Sequence, residues 1–125
     1  MIAGGIGITP MLSMLRYLSD VKSNCRITLV WTLRTRKEIV YPEEFKKLEK
    51  GLSGLTINYF FTREERGGEN RGRLTRENLE KLIFGCSRES VILLCGPPGM
   101  MTQVKKSLIL LGFPKKSIIT ERFAL

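Results

Sequence analysis

Two apolar runs in this chain break off in glycine-rich turns, and each turn leads straight into an amphipathic helical pattern. The first is Gly4-Gly5-Ile6-Gly7-Ile8-Thr9-Pro10, after Ile2-Ala3. The second is Cys95-Gly96-Pro97-Pro98-Gly99, after Ser90-Val91-Ile92-Leu93-Leu94. A strand that turns on glycine into a helix leaves backbone N–H groups and a helix N-terminus at one point, which suits phosphate binding. It also constrains the fold, because strands alternating with helices build parallel sheets through right-handed crossovers.

The rest of the chain repeats the unit. Thr9 reads as an N-cap and Pro10 as the first helical residue. Met11, Leu12, Met14, Leu15 and Leu18 then share one apolar face. Ile27 to Trp31 reads as a buried strand, and Pro42 opens a helix bearing Phe45 and Leu48 with Gly51 as its stop. Leu55 to Phe61 is a third strand, followed by a charged, glycine-containing loop from Thr62 to Arg73. Thr75 caps a short helix carrying Leu79, Leu82 and Ile83, and Ser90 to Cys95 is the fourth strand. A helix from about Gly99 buries Met101, Val104, Leu108 and Leu111 and ends at Gly112 and Pro114. Ser117 to Thr120 is a short final strand. The expected fold is α/β, a three-layer α/β/α sandwich on a five-stranded parallel sheet. Ligands of such sheets bind at the carboxyl ends of the strands. Only Met1 to Ala3 precede the first turn, against about five residues for an ordinary strand, so the first strand is expected to be truncated.

Composition removes several chemistries. The chain has 125 residues, enough for one domain, with no histidine and three cysteines, Cys25, Cys86 and Cys95. His-ligated zinc, His-ligated haem, an all-cysteine iron–sulfur cluster and every His-based nucleophile scheme are excluded; no metal site is expected. An odd thiol count fits a reducing compartment. No apolar run reaches the roughly 18 residues of a membrane span, and the start lacks a signal-peptide pattern, so a cytoplasmic location is expected. The formal charge of +9 fits an anionic partner, or a lysine-rich solvated surface. No block of five or six like charges and no nucleic-acid motif occurs, so nucleic acid is not expected.

Individual residues leave alternatives open. The first turn has Gly5-x-Gly7, but Pro10 stands where a dinucleotide fingerprint has its third glycine. The acidic residue that fingerprint places at the end of the second strand is missing, and Thr32-Leu33-Arg34 stands there instead. Arg34 suits a phosphate or a plain surface position. Arg63, at the end of the third strand, suits a ribose 2′-phosphate or adenine. Arg66, Arg71 and Arg73 either join it or form a solvated loop. Cys95 is either a small core residue or a thiol at the site, and Met100 and Met101 either pack on a flat ring or fill the core.

Five motifs stand in order along nearly the whole chain: Ala3-Gly4-Gly5-Ile6-Gly7-Ile8-Thr9-Pro10-Met11; Arg34-Thr35 with Tyr41-Pro42-Glu43-Glu44; Arg73-Leu74-Thr75; Cys95-Gly96-Pro97-Pro98-Gly99-Met100-Met101; and Glu121-Arg122-Phe123. Together they resemble the pyridine-nucleotide-binding domain of the ferredoxin–NADP reductase superfamily. The resemblance implies that residues 1–125 are an NAD(P)-binding domain with strand order 3-2-1-4-5, taking NADPH or NADH. Gly5, Gly7, Ile8, Thr9 and Pro10 would hold the pyrophosphate and the nicotinamide side. Arg34, Thr62 and Arg63 would lie around the adenosine ribose, with Arg73 among the cofactor-binding residues. Gly96, Pro97, Gly99, Met100 and Met101 would complete the groove.

The same resemblance places Cys95 beside the nicotinamide C4, with Glu121 and Phe123 lining the flavin side; Cys95 and Glu121 are its catalytic candidates. FAD or FMN would be held by a separate flavin-binding domain or subunit, whose Arg-x-Tyr-Ser barrel motif is not in this sequence. Electrons would pass to an iron–sulfur or haem acceptor, and the basic surface would dock an acidic partner. A non-catalytic dinucleotide-binding or electron-transfer-complex subunit, working without flavin, is the alternative. Between the two nucleotides, the charge of Arg63 leans towards NADPH.

Overall fold

The computed structural model describes residues 1–63 and 73–122. Five strands, β1 (Ile2–Gly4), β2 (Ile27–Leu33), β3 (Leu55–Phe61), β4 (Ile92–Cys95) and β5 (Ile118–Glu121), alternate with four helices. The helices are α1 (Ile8–Asp20), α2 (Pro42–Gly51), α3 (Arg76–Leu82) and α4 (Pro98–Leu110). The strands form one parallel sheet in the order β3-β2-β1-β4-β5, the order implied by the resemblance.

Burial on both sheet faces explains the apolar runs. In β2, Leu29, Trp31 and Leu33 point into a core with Met11, Leu12 and Leu15 of α1 and Phe45 and Leu48 of α2. Val30, between them, points into a second core with Leu79 of α3 and Met101, Val104 and Leu108 of α4. β4 alternates likewise, with Ile92 and Leu94 in the second core and Cys95 in the first. Burying a large aliphatic or aromatic side chain contributes roughly 1.5–3 kcal/mol before entropy, so these two cores hold the layers together. On the surface, Arg16 of α1 grips Glu44 of α2 through both carboxylate oxygens, with Nη2 to Oε2 at 2.8 Å. That hydrogen bonding holds the Glu44 carboxyl below the usual carboxylate range.

The central strand is the shortest. β1 pairs with β2 on one side (Ile2 with Val30, Gly4 with Thr32) and with β4 on the other (Ala3 with Cys95). The two glycine turns therefore leave neighbouring strands at the same edge.

Several boundaries differ from expectation. Thr9 is not the N-cap of α1, nor Pro10 its first residue. A 3₁₀ turn over Gly5–Gly7 runs directly into the helix, so Gly7 is the N-cap and Ile8 the first residue, and the Thr9 hydroxyl donates back to the Ile6 carbonyl at 3.1 Å. Met14 lies on the exposed side of α1, and Leu18 and Leu111 are half-buried. β2 runs two residues past Trp31, α4 begins at Pro98, β4 starts at Ile92, and β5 extends to Glu121. Gly51 ends α2 without a left-handed backbone; the tight approach falls at Gly54, where a Cβ would strike the Cys25 carbonyl. Thr75 caps α3 as expected, accepting from the Asn78 N–H at 3.2 Å.

Candidate functional site

A cleft of about 990 Å³ opens along the carboxyl edge of the sheet, between the first glycine turn and the second. This is within the range of small-molecule sites. Its floor is glycine because the backbones meet there. A Cβ on Gly96 would stand 2.9 Å from Met100 Sδ and 3.1 Å from Gly4 Cα, and one on Gly4 would collide with Met100 Sδ and Pro97. Gly5 has φ +53°, a left-handed conformation that glycine adopts without a steric penalty.

The four helix N-termini are not alike. α2 carries Glu43 and Glu44 in its first turn, and α3 has the Thr75 cap with Glu77 behind it. The two helices that begin at the glycine turns, α1 and α4, have no side-chain cap and no acid in the first turn. The Ile8 N–H is turned back to the Gly5 and Ile6 carbonyls of the 3₁₀ turn, and the positive dipole ends of both helices are left for an anion. Both starts, through Ile8 and Thr9 of α1 and Pro98 and Gly99 of α4, line the same cleft.

The structure brings most of the expected residues to this wall: Gly5, Ile8, Thr9, Arg34, Thr62, Arg73, Gly96, Pro97, Gly99 and Met100. Others stand elsewhere. Gly7 lies under the wall, where a Cβ would strike the Cys95 carbonyl; it allows α1 to start against β4. Pro10 is half-buried in α1 and Arg63 is exposed outside the cleft lining. Met101 belongs to the core beneath α4. Cys95 is fully buried in the core under α1, and burial, with a smaller push from the Glu121 charge, raises its thiol pKa. Glu121 is exposed at the end of β5, in register with Cys95. Phe123, Arg66 and Arg71 lie outside the described residues.

Other wall residues carry no signal in the linear pattern. Trp31 reads as strand core and Thr32 only as a residue at the strand's end, yet both line the cleft. The Trp31 indole is fixed between Phe45 and Tyr59, with ring centroids at 5.1 and 5.8 Å, and its Nε1 donates to the Gly5 carbonyl at 3.1 Å. The Thr32 hydroxyl contacts Met100 Sδ at 3.7 Å, linking the end of β2 to the second turn. Glu38, Tyr41 and Gln103 complete the rim. A signal did exist for Tyr41: an aromatic residue just before a Pro-started helix, held here in a left-handed backbone (φ 51°, ψ 48°).

The arrangement suits a long, flat, doubly anionic ligand. Two helix starts flank the centre for a pyrophosphate. Arg34 and Thr62 lie towards β2 and β3 and the second turn towards β4, one end for each half of a dinucleotide. Among the described residues there is no group of His, Cys, Asp and Glu able to hold a metal, and no helix long and apolar enough to cross a membrane.

Comparison with known proteins agrees with this geometry. Residues 1–106 match the family described as the oxidoreductase NAD-binding domain. NADH-cytochrome b5 reductase 1 of Candida glabrata is 30% identical over 127 residues, covering 97% of this chain and 44% of the relative. Among solved structures, the flavohemoglobin of Malassezia yamatoensis superposes with a TM-score of 0.86 at 26% identity, over 98% of this chain and 30% of that one. The cytochrome b5 reductase domain of Ulva prolifera nitrate reductase gives 0.84 at 28% identity, over 97% and 47%. The chain spans less than half the length of each of these proteins. By its sequence, its sheet order and its cleft, the chain belongs to the oxidoreductase NAD-binding domain family.

Proposed function

We propose that this chain binds NAD(P)H across the carboxyl edge of its sheet. It would present the nicotinamide to FAD or FMN held on another domain or subunit, in an oxidoreductase that passes electrons to a haem or iron–sulfur acceptor. The observation that carries this is the convergence of two uncapped, acid-free helix starts on one cleft. The relatives support it: one is named an NADH-cytochrome b5 reductase, and the flavohemoglobin is described with bound FAD and haem.

In this reading the redox chemistry belongs to the nicotinamide and the flavin. The protein supplies binding and alignment. The positive ends of α1 and α4 hold the pyrophosphate, and Gly5, Gly96 and Gly99 let it approach the backbone. Arg34 and Thr62 take the adenosine ribose, with Arg73 at the same wall. Pro97 and Met100 bound the nicotinamide end and keep water from it. Cys95 lies beneath that end as a neutral thiol. Glu121, exposed beside it at the sheet edge, stands where a flavin-holding partner must approach. The net charge of +9 supports an acidic acceptor, steered by charge.

Titrating the chain with NADH and NADPH tests the reading. Saturable binding of at least one is expected, and it should be lost in Gly96→Val, whose side chain would fill the meeting point of the two turns. Absence of binding by both nucleotides would refute the dinucleotide cleft.

A further inference from the structure

The acid missing from the end of β2 is returned by the turn that follows it. After Leu33 the chain runs through Arg34 and Thr35 into a 3₁₀ turn over Arg36–Glu38, closed by the Glu38 N–H to the Thr35 carbonyl at 3.1 Å. This turn brings Glu38 back to the cleft wall beside Arg34, with Glu38 Oε1 3.6 Å from Arg34 Nε. Among the described residues that line the cleft, Glu38 is the sole carboxylate; the charged partners there are Arg34 and Arg73.

We propose that Glu38 sets the nucleotide preference of this cleft in favour of the unphosphorylated dinucleotide. Its carboxylate takes the ribose 2′,3′-diol, and its charge beside Arg34 opposes a 2′-phosphate. The proposal rests on the dinucleotide reading given above and adds which of the two nucleotides the cleft selects.

The chemistry is specific. A carboxylate has acceptor sites for both hydroxyls of a vicinal diol, whereas a 2′-phosphate brings up to two negative charges against it. At a half-exposed site that repulsion amounts to about tenfold in affinity. Arg34, paired with Glu38 at 3.6 Å and exposed, offsets it only in part. Arg73 lines the same cleft, reached from the other face of the sheet. Its neighbour Leu74 packs into the core under α3 and α4, while Ile39, next to Glu38, packs against the core under α1 and α2. Arg63 is exposed and outside the cleft lining.

The test is titration of the chain, as wild type, Glu38→Gln and Glu38→Asp, with ADP-ribose and with 2′-phospho-ADP-ribose. These probes lack nicotinamide and so read the adenosine half alone. Wild type is expected to bind ADP-ribose several-fold more tightly. Glu38→Gln should move the ratio about tenfold towards the phosphorylated probe, and Glu38→Asp should keep the wild-type preference. A wild-type preference for the phosphorylated probe, or equal changes for both probes in Glu38→Gln, would overturn the proposal. Failure of both probes to bind any of the three proteins would instead refute the dinucleotide cleft, and the inference with it.

Discussion

The indole Nε1 of Trp31 donates to the carbonyl oxygen of Gly5 at 3.1 Å, tying the carboxyl end of β2 to the first glycine turn. The donor is wholly buried and its ring is wedged between Phe45 and Tyr59. The turn that starts α1 is thus positioned by a side chain from a different strand. Trp31→Phe keeps the ring packing and removes the donor. It is expected to cost about 1–2 kcal/mol of stability and to weaken nucleotide binding several-fold, read by thermal melting and titration.

Gly7 and Gly99 should respond oppositely to alanine. At Gly7 a Cβ would strike the Cys95 carbonyl, so Gly7→Ala must push α1 away from β4 and is expected to cost about 1–3 kcal/mol. At Gly99, in the first turn of α4, a Cβ meets nothing within 4 Å. Gly99→Ala is expected to leave the fold as stable or to raise it by up to about 1 kcal/mol through lower unfolded-state entropy. Denaturant unfolding of the two variants gives the comparison.

Alkaline pH should loosen the fold through a buried thiol and a half-buried phenol. Burial first, then Glu121, raises the Cys95 thiol above its usual 9.0. Burial first, then Glu49, raises Tyr59 above 10.0. A group with a raised pKa keeps a proton in the folded state that the unfolded chain releases, so its contribution is complete below the usual value and is lost as pH climbs. The melting temperature should fall from about pH 9 upward. Cys95→Ala should remove the earlier part of that fall. An unchanged pH profile in the variant would show that Cys95 does not contribute.

Tyr41 combines strain with exposure. A bulky residue in the left-handed region costs about 1–2 kcal/mol, yet Tyr41 sits there with its side chain on the cleft rim, 59% exposed. Tyr41→Gly relieves the backbone and removes the ring. The expected outcome is a melting temperature equal to or above wild type together with weaker nucleotide binding. A variant that binds as tightly as wild type would remove Tyr41 from the site.

The element order was readable because each element is signalled by nearby residues. Short apolar runs marked β2 and β4, and Thr75 marked the start of α3. Boundaries slipped where backbone geometry overrode a local signal. At α1 a 3₁₀ turn absorbed the three residues before the helix, moving the cap from Thr9 to Gly7. Ten expected site residues, from Gly5 to Met100, were brought to one wall, all but Arg73 because they follow strand ends. Glu38 was not found, since an acid was sought at the end of β2 and the carboxylate arrives through the turn four residues beyond Arg34.

The sequence by itself determined an alternating α/β chain whose two glycine turns stand at strand ends. Turn chemistry and hydrophobic period act over a few residues and need no distant partner. Tertiary structure alone decided which side chains share the cleft. It turned Cys95 into the core, placed Gly7 beneath the wall, and brought Trp31 over Gly5 and Thr32 against Met100. Those relations join residues far apart in the chain, and they exist only once the crossovers have laid β2, β1 and β4 side by side.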